Sequence, residues 1–139
     1  MTAFLRRILF VDNEESQIQV MQRMLTRLGY YAEFANNANE ALQILDNGEF
    51  PLIITDLKMP EMDGAELCRR IRKVKPESFI YAFSGYLADF DVEKLEESGF
   101  DGHLNKPVEM KVLEYAIEGA FEKIEQRKAT AARALPSSS

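Results

Sequence analysis

The chain has 139 residues, of which 46% are hydrophobic, so its length and composition fit one domain with an ordinary core. Its 17 Lys and Arg against 23 Asp and Glu give a formal net charge of -6, which gives no support to a nucleic-acid-binding domain. The single cysteine, Cys68, excludes an internal disulfide, and no signal peptide or bilayer-spanning apolar run is evident, so we expect a cytoplasmic protein without membrane contact.

The first half of the chain alternates between strand and helix patterns. Residues 7–11 are a short apolar run that predicts a central strand. Glu14 and Glu15 follow it, and we interpret both as acids that stabilise the start of a helix. That helix has an apolar stripe of Ile18, Met21, Leu25 and Leu28.

A second strand and helix come next. Residues 30–35 predict a strand at a sheet edge, because an acidic residue interrupts the apolar pattern. Asn37 and Glu40 are a capping signal for a second helix, which ends near Asn47. The pattern of one strand followed by one helix is thus repeated.

The stretch from Leu52 to Gly64 carries the strongest local signal. Its apolar run has no polar alternation, which is typical of a parallel strand covered on both faces, and it ends in Asp56. Ligands of doubly wound folds bind at this carboxyl edge of the sheet. Pro60 and Asp63-Gly64 indicate a shaped loop, and Asp63 with Glu66 three residues later is a capping signal for a third helix. Taken alone, Asp56 is better explained as a loop acid that accepts a hydrogen bond from a nearby backbone amide, so its role depends on what the other strand ends carry.

The second half of the chain continues the alternation. The third helix has a stripe of Leu67, Cys68, Ile71 and Val74 and should end before Pro76, with Cys68 as a buried apolar residue rather than a reactive thiol. A fourth strand at residues 79–83 leads into Ser84. A short fourth helix and a short strand at residues 102–105 follow, and the strand leads into Lys106-Pro107.

The last helix shows the clearest periodicity of the chain. Its apolar face is Leu113, Ala116, Ile117, Ala120, Phe121 and Ile124. The stripe weakens after Ile124, and the last five residues are typical of a disordered tail. We therefore predict a domain at residues 1–125, followed at residues 126–139 by an extended helix end and a disordered tail or linker.

Five strand-helix alternations with short connections predict an α/β fold, a doubly wound parallel sheet with helices on both faces. The predicted strand ends bring together Asp12 with Asn13, Asp56, Ser84 and Lys106. Carboxylate and amide oxygens suit magnesium, a lysine holds an anion, and a hydroxyl can donate to a third oxygen. These groups describe a site for a phosphoryl group beside a cation. Since no glycine-rich phosphate loop is present, a nucleotide is not expected.

The chain resembles the receiver domain of two-component response regulators. The motifs that carry this resemblance are Ile8-Leu9-Phe10-Val11-Asp12, the stretch from Asp56 to Gly64, Phe83-Ser84-Gly85-Tyr86 and Asn105-Lys106-Pro107. The resemblance implies a CheY-like, flavodoxin-like five-stranded sheet of order 2-1-3-4-5 with five surrounding helices. It also implies a cis Lys106-Pro107 bond.

The same resemblance assigns roles to the site residues. Asp56 would accept a phosphoryl group from a sensor histidine kinase or a histidine phosphotransfer protein, assisted by Lys106 and Ser84. Mg²⁺ would be held by Asp12, Asn13, Asp56 and the backbone carbonyl of Lys58. Phosphorylation would then change partner binding. An output domain, a downstream protein and a homodimer are the further partners that the resemblance suggests, with no direct nucleic-acid binding by this domain.

Three positions depart from the family pattern: Asn13, Ser84 and His103. Ser84 replaces the threonine of many relatives and keeps the hydroxyl. Asn13 replaces the usual second acid, which lowers the expected metal affinity and leaves an alternative open: a degenerate receiver that binds partners independently of phosphate. His103 stands in place of a tyrosine or phenylalanine, and we interpret it as a surface substitute. Lys58 and Tyr86 lie where family members tune the lifetime of the phosphoryl group. Haloacid-dehalogenase-type phosphatases have an acid where this chain has Lys58, so a turnover enzyme is not expected.

Overall fold

A computed structural model describes residues 6–85 and 92–134. Strands and helices alternate throughout this part of the chain. In order they are β1 (Arg7–Val11), α1 (Glu15–Leu28), β2 (Tyr31–Ala35), α2 (Ala38–Asp46), β3 (Leu52–Asp56), α3 (Gly64–Val74), β4 (Phe79–Ser84), α4 (Val92–Ser98), β5 (Gly102–Asn105) and α5 (Met110–Ala134). The predicted alternation is confirmed, with strand limits close to the expected ones.

The five strands form one parallel sheet with the order β2-β1-β3-β4-β5. This is the predicted doubly wound, CheY-like topology, and β2 lies at an edge as expected. The register aligns the carboxyl ends of the strands, since Val11 pairs with Thr55 and Asp56 pairs with Phe83. The residues at and just after these ends therefore meet at one edge of the sheet.

The core has two layers, one on each face of the sheet. Alternate residues of β1 point to opposite layers, and all of Ile8 to Val11 are fully buried. One layer packs α2, α3 and α4 against the sheet through side chains such as Leu45, Leu67 and Leu95. The other packs α1 and α5 through Leu25 and Phe121, among others. Burial on both faces explains why the central strands are apolar without alternation.

Local signals set the helix boundaries. The side chain of Asn37 accepts a hydrogen bond from the Glu40 amide at 2.7 Å, and that of Asp63 accepts one from the Glu66 amide at 2.9 Å. Gly29 ends α1 in the left-handed conformation at a φ of 83°. The prediction that Val74 belongs to the buried stripe was wrong, because it is the last residue of α3 and its side chain is 62% exposed.

Helix α5 continues well beyond the apolar stripe that predicted it. Its buried face ends at Ile124, and residues 125–133 are exposed, yet the helix runs to Ala134. The division at residue 125 stays a prediction, since one helix crosses it, and the predicted tail at 135–139 lies outside the described residues. Across residues 6–85 and 92–134, no helix combines the length and hydropathy needed to cross a bilayer.

Candidate functional site

Four strand ends deliver polar side chains to the carboxyl edge of the sheet. Asp12 follows β1, Asp56 ends β3, Ser84 ends β4 and Lys106 follows β5. These side chains lie inside the protein surface: Asp12 is 0% exposed, Asp56 6% and Ser84 2%. Charged groups are rarely buried to this degree unless they are paired or functional.

Lys106 joins the two carboxylates. Its Nζ donates a hydrogen bond to Asp12 Oδ2 at 2.8 Å and forms an ion pair with Asp56 Oδ1 at 3.4 Å. The same ammonium group lies 5.2 Å from the centre of the Phe83 ring, a contact that also favours a cation. Two buried negative charges thus share one positive charge, and the cluster carries an uncompensated negative charge.

The pKa of the Asp56 carboxyl is raised from its ordinary value of 3.8. Burial is the largest cause, because it disfavours the charged form, and the neighbouring Asp12 carboxylate raises the pKa further. The Lys106 ammonium and a hydrogen bond from the Leu57 amide act in the opposite direction. The charged form of Asp56 is therefore disfavoured, and a further cation nearby would stabilise it.

Backbone contacts hold the cluster in place. The Glu14 amide donates to Asp12 Oδ1 at 2.9 Å, which leaves the second oxygen of Asp12 facing Lys106. The Lys106 amide donates to the Ser84 carbonyl at 3.1 Å and ties the end of β5 to the end of β4. The Lys106-Pro107 bond is cis, as the family resemblance implied.

Gly64 allows α3 to begin directly against the end of β3. Its amide donates to the Leu57 carbonyl at 2.9 Å, and a Cβ at this position would lie 2.1 Å from the Asp56 carbonyl oxygen. No side chain could replace this glycine without moving the backbone that carries Asp56. The sequence pattern indicated a turn at Asp63-Gly64 but gave no sign of this close approach.

An open cavity lies over the cluster. Its wall is formed by Glu14, Gln17, Asp56, Lys58, Ser84, Gly85, Lys106 and Pro107. Asp12 lies beneath it, fully buried, whereas Asn13 is exposed and does not contribute to this wall. The cavity and the cluster beneath it include Asp12, Asp56, Lys58, Ser84 and Lys106, whereas Asn13 is exposed and does not line the cavity.

Sequence reasoning missed two polar residues of this wall, Glu14 and Gln17. The interpretation of Glu14 and Glu15 as helix-stabilising acids fits Glu15, which lies in the first turn of α1. Glu14 occupies the N-cap position, but its side chain makes no capping hydrogen bond. The spacing of three between Glu14 and Gln17, close to one helical turn, was the signal that could have placed both on one side of α1.

The donor set fits a hard divalent cation. Oxygen ligands would come from the carboxylates of Asp12 and Asp56, which both contact Lys106, and from the nearby backbone at Lys58. A cation beside them would offset the burial and the repulsion from Asp12 that raise the Asp56 pKa. Among residues 6–85 and 92–134, no group of three or more His, Cys, Asp or Glu side chains is placed to hold a metal ion together.

Two further predictions concern residues outside this cluster. Cys68 is fully buried, and burial raises the pKa of its thiol to about 11, so it is an apolar core residue rather than a nucleophile. His103 is exposed on β5, in agreement with its interpretation as a surface residue. Tyr86, the end of one motif, lies outside the described residues.

The fold and this cluster define the class of protein. The family model described as "Response regulator receiver domain" matches residues 8–118, so the chain belongs to that family. Proteins of this family act as signalling switches in two-component systems, and receiver domains generally bind Mg²⁺ at the phosphorylation site.

The relatives that match this chain include both a regulator and a sensor kinase. The chain is 35% identical over 124 residues to the probable transcriptional regulator ycf27 of Cyanidium caldarium, covering 88% of this chain and 49% of that protein. It is 30% identical over 110 residues to the autoinducer 1 sensor kinase/phosphatase LuxN of Vibrio campbellii, covering 79% of this chain and 13% of LuxN. This chain thus spans less than half the length of either relative.

A solved structure supports the same assignment. The CheY-like response regulator receiver domain protein of Methanospirillum hungatei matches with a TM-score of 0.83 and 29% identity, covering 89% of this chain and 99% of that one. The match thus covers almost all of that structure, whereas it covers less than half of each longer relative.

Proposed function

We propose that this chain is a phosphorylation-dependent switch in which Asp56 accepts a phosphoryl group. The observation that carries the proposal is the pairing of Lys106 with both Asp12 and Asp56 on the floor of an open cavity. A cluster with a purely structural role would be expected to pair each charge fully, whereas these two acids share one lysine. Here the second acid lies on the cavity wall, where an incoming phosphoryl group can reach it.

The chemistry follows from these positions. An oxygen of the Asp56 carboxylate attacks the phosphorus of a phosphohistidine, and the bond between phosphorus and the imidazole nitrogen breaks. The electron pair of that bond leaves with the imidazole, and the product is an acyl phosphate on Asp56. Mg²⁺, when bound, supplies positive charge to the phosphoryl oxygens and to the carboxylates.

The chain's own residues assist this transfer. Lys106 lines the cavity with its Nζ 3.4 Å from Asp56 Oδ1, so its ammonium group would stabilise an oxygen of a phosphoryl group on Asp56. The Ser84 hydroxyl is carried by the next strand on the same wall. We assign Asp12, Asn13, Asp56 and the carbonyl of Lys58 to the cation, as the family pattern suggests. Since position 58 holds an exposed lysine rather than an acid, we infer a switch and not a turnover enzyme.

The partners follow from the proposed chemistry. The phosphoryl donor would be a sensor histidine kinase or a histidine phosphotransfer protein, and the acceptor of the signal an output domain, a downstream protein or a second copy of the chain. LuxN is named as a sensor kinase/phosphatase and ycf27 as a probable transcriptional regulator, so receiver domains of this kind are joined to both types of protein.

The alternative is a degenerate receiver that binds partners without phosphate. One observation favours it: the second residue after β1 is an amide, Asn13, and it lies off the cavity wall. The loss of one negative charge weakens the cation site that the transfer requires. The two functions differ in whether partner binding depends on the state of Asp56.

A phosphorylation assay separates these functions. The purified chain is incubated with Mg²⁺ and a small phosphodonor such as acetyl phosphate, and its intact mass is measured under conditions that preserve acyl phosphates. We expect the mass gain of one phosphoryl group in the wild type and in the control Asp46→Asn, an exposed acid on α2, but none in Asp56→Asn. An absence of gain in the wild type at saturating Mg²⁺ would contradict the proposal and favour the degenerate receiver.

A further inference from the structure

Glu14 occupies an unusual position beside the phosphoacceptor site. Its backbone amide donates to Asp12 Oδ1 at 2.9 Å, and the residue forms part of the cavity wall together with Asp56. It is the N-cap residue of α1, yet its side chain makes no capping hydrogen bond. Within residues 6–85 and 92–134, we find no hydrogen bond or ion pair of the Glu14 carboxylate. The carboxylate is therefore not committed to a structural contact.

The neighbouring position lacks the charge that a cation site would need. Asn13 is neutral, exposed and absent from the cavity wall, whereas the following residue is acidic and part of it. The cluster beneath contains two carboxylates and one ammonium group, and the cavity wall adds the ammonium group of Lys58, so these two acids alone leave no net negative charge for an added divalent cation. An additional acid at the cavity rim would strengthen the attraction for that cation.

We propose that Glu14 supplies the negative charge that Asn13 lacks and attracts the divalent cation to the site through a bridging water. The proposal rests on the function proposed above and extends it to a residue that stands outside the assigned ligands. We infer contact through a water molecule rather than direct ligation, because no three carboxylates of the described residues are placed to bind one ion together. Glu14 is thus a positioning residue for the cation rather than a direct ligand.

The expected size of this effect can be estimated from Coulomb's law. A unit negative charge about 6 Å from a divalent cation, in surroundings close to water, changes the affinity about tenfold at low ionic strength. Physiological salt screens part of this attraction, so a change of roughly three- to tenfold is expected. A direct ligand would have a larger effect that is less sensitive to salt.

Metal affinity can be measured without any phosphorylation. Mn²⁺ is titrated into the unphosphorylated chain, the free ion is quantified by electron paramagnetic resonance, and Mg²⁺ affinity is obtained by competition. We expect Glu14→Gln to weaken binding roughly three- to tenfold, with the difference shrinking as NaCl is raised. The matched control is Glu15→Gln, which removes the same charge from the adjacent residue, in the first turn of α1 but not on the cavity wall.

A second variant tests the link to Asn13. Asn13→Asp should tighten Mn²⁺ binding, and adding Glu14→Gln to it should then have a smaller effect than in the wild type, because the site already has its second acid. Equal affinities of Glu14→Gln and Glu15→Gln in the wild-type background would overturn the inference. Circular dichroism and thermal unfolding without metal show whether each variant keeps its fold.

The two proposals fail in distinguishable ways. If the wild type is phosphorylated on Asp56 but Glu14→Gln binds Mn²⁺ as tightly as Glu15→Gln does, only the role of Glu14 is wrong. If the wild type binds no Mn²⁺ and gains no phosphoryl group, the function proposed for the site is wrong as well.

Discussion

The two edges of the sheet carry opposite kinds of ionic cluster. At the carboxyl edge, Lys106 is shared by the two acids Asp12 and Asp56. At the amino edge, where β4 and β5 begin, the single acid Asp101 is shared by Arg72 of α3 and Arg127 of α5. One cluster has too few positive charges and the other has an excess of them.

The amino-edge cluster is saturated with hydrogen bonds. Asp101 accepts from Arg72 at 2.5 Å, from Arg127 at 2.7 Å and from the Ile80 amide at 2.9 Å. Arg72 also donates to the backbone carbonyls of Gly99, Pro76 and Ser78. Each charge has its partners, so this cluster joins α3, β4, β5 and α5 without leaving a group available for chemistry.

The carboxyl-edge cluster is arranged differently. Asp56 has its pKa raised by burial and by Asp12, and it borders an open cavity. Similar side chains are therefore fully paired at one edge and only partly paired at the other. The difference lies in how completely each charge is paired, and we expect it to appear as opposite effects of mutation on stability.

The largest expected effect on stability is at the amino edge. Arg72→Met should lower the free energy of unfolding by about 2–4 kcal/mol, because it leaves Asp101 partly unpaired and removes donors from partly buried carbonyls of Gly99 and Ser78. Urea unfolding monitored by circular dichroism measures the change. Arg69→Met on the same helix is the control: its exposed ion pair with Glu66 should contribute less than about 0.5 kcal/mol. Equal losses in the two variants would contradict a special role for Arg72.

At the carboxyl edge, the corresponding change should stabilise the protein. Asp56→Asn removes a buried charge next to Asp12 and should raise the free energy of unfolding by about 1 kcal/mol at neutral pH without metal. The same urea titration measures it, with Asp46→Asn as the exposed control. A loss of stability in Asp56→Asn would show that the pair with Lys106 outweighs the repulsion.

This second prediction has a defined pH dependence. Because the folded protein holds the Asp56 proton to a higher pH than the unfolded chain does, folding stability from this group falls as pH rises from 3.8 toward the raised pKa. The advantage of Asp56→Asn over the wild type should therefore grow from mildly acidic to neutral pH. An advantage that shrinks over this range would mean that the pKa of Asp56 is lowered instead.

The smallest expected effect tests the second arginine of the amino edge. Arg127 is about half exposed, and its guanidinium packs over the Phe79 ring at 5.1 Å while it pairs with Asp101. Arg127→Gln should lower the free energy of unfolding by about 0.5–1 kcal/mol, since Arg72 still neutralises Asp101. A loss as large as that of Arg72→Met would show that Asp101 needs both arginines.

Sequence reasoning recovered the alternation of strands and helices because its signals are local, and the strand order came from the family resemblance. Uninterrupted apolar runs predicted the central strands, and the caps at Asn37 and Asp63 were confirmed by their hydrogen bonds. The right-handed rule for parallel crossovers then leaves few arrangements, so the strand pattern is enough to locate the carboxyl edge. The exposure of Val74 could not be predicted, since helical spacing does not show where the supporting sheet stops.

The order of residues along the chain was enough to identify those that reach the site. Asp12, Asp56, Ser84 and Lys106 each lie at or just after a strand end, and the strand pattern sets those ends. How their charges are shared depends on the folded chain, because the pairing of Lys106 with two acids joins side chains from distant parts of the sequence. For the same reason, the place of Glu14 on the cavity wall and the arginine pair at Asp101 emerge only from the packing of the elements. The packing of the elements sets the distances between the strand ends, and a local sequence pattern does not determine this packing.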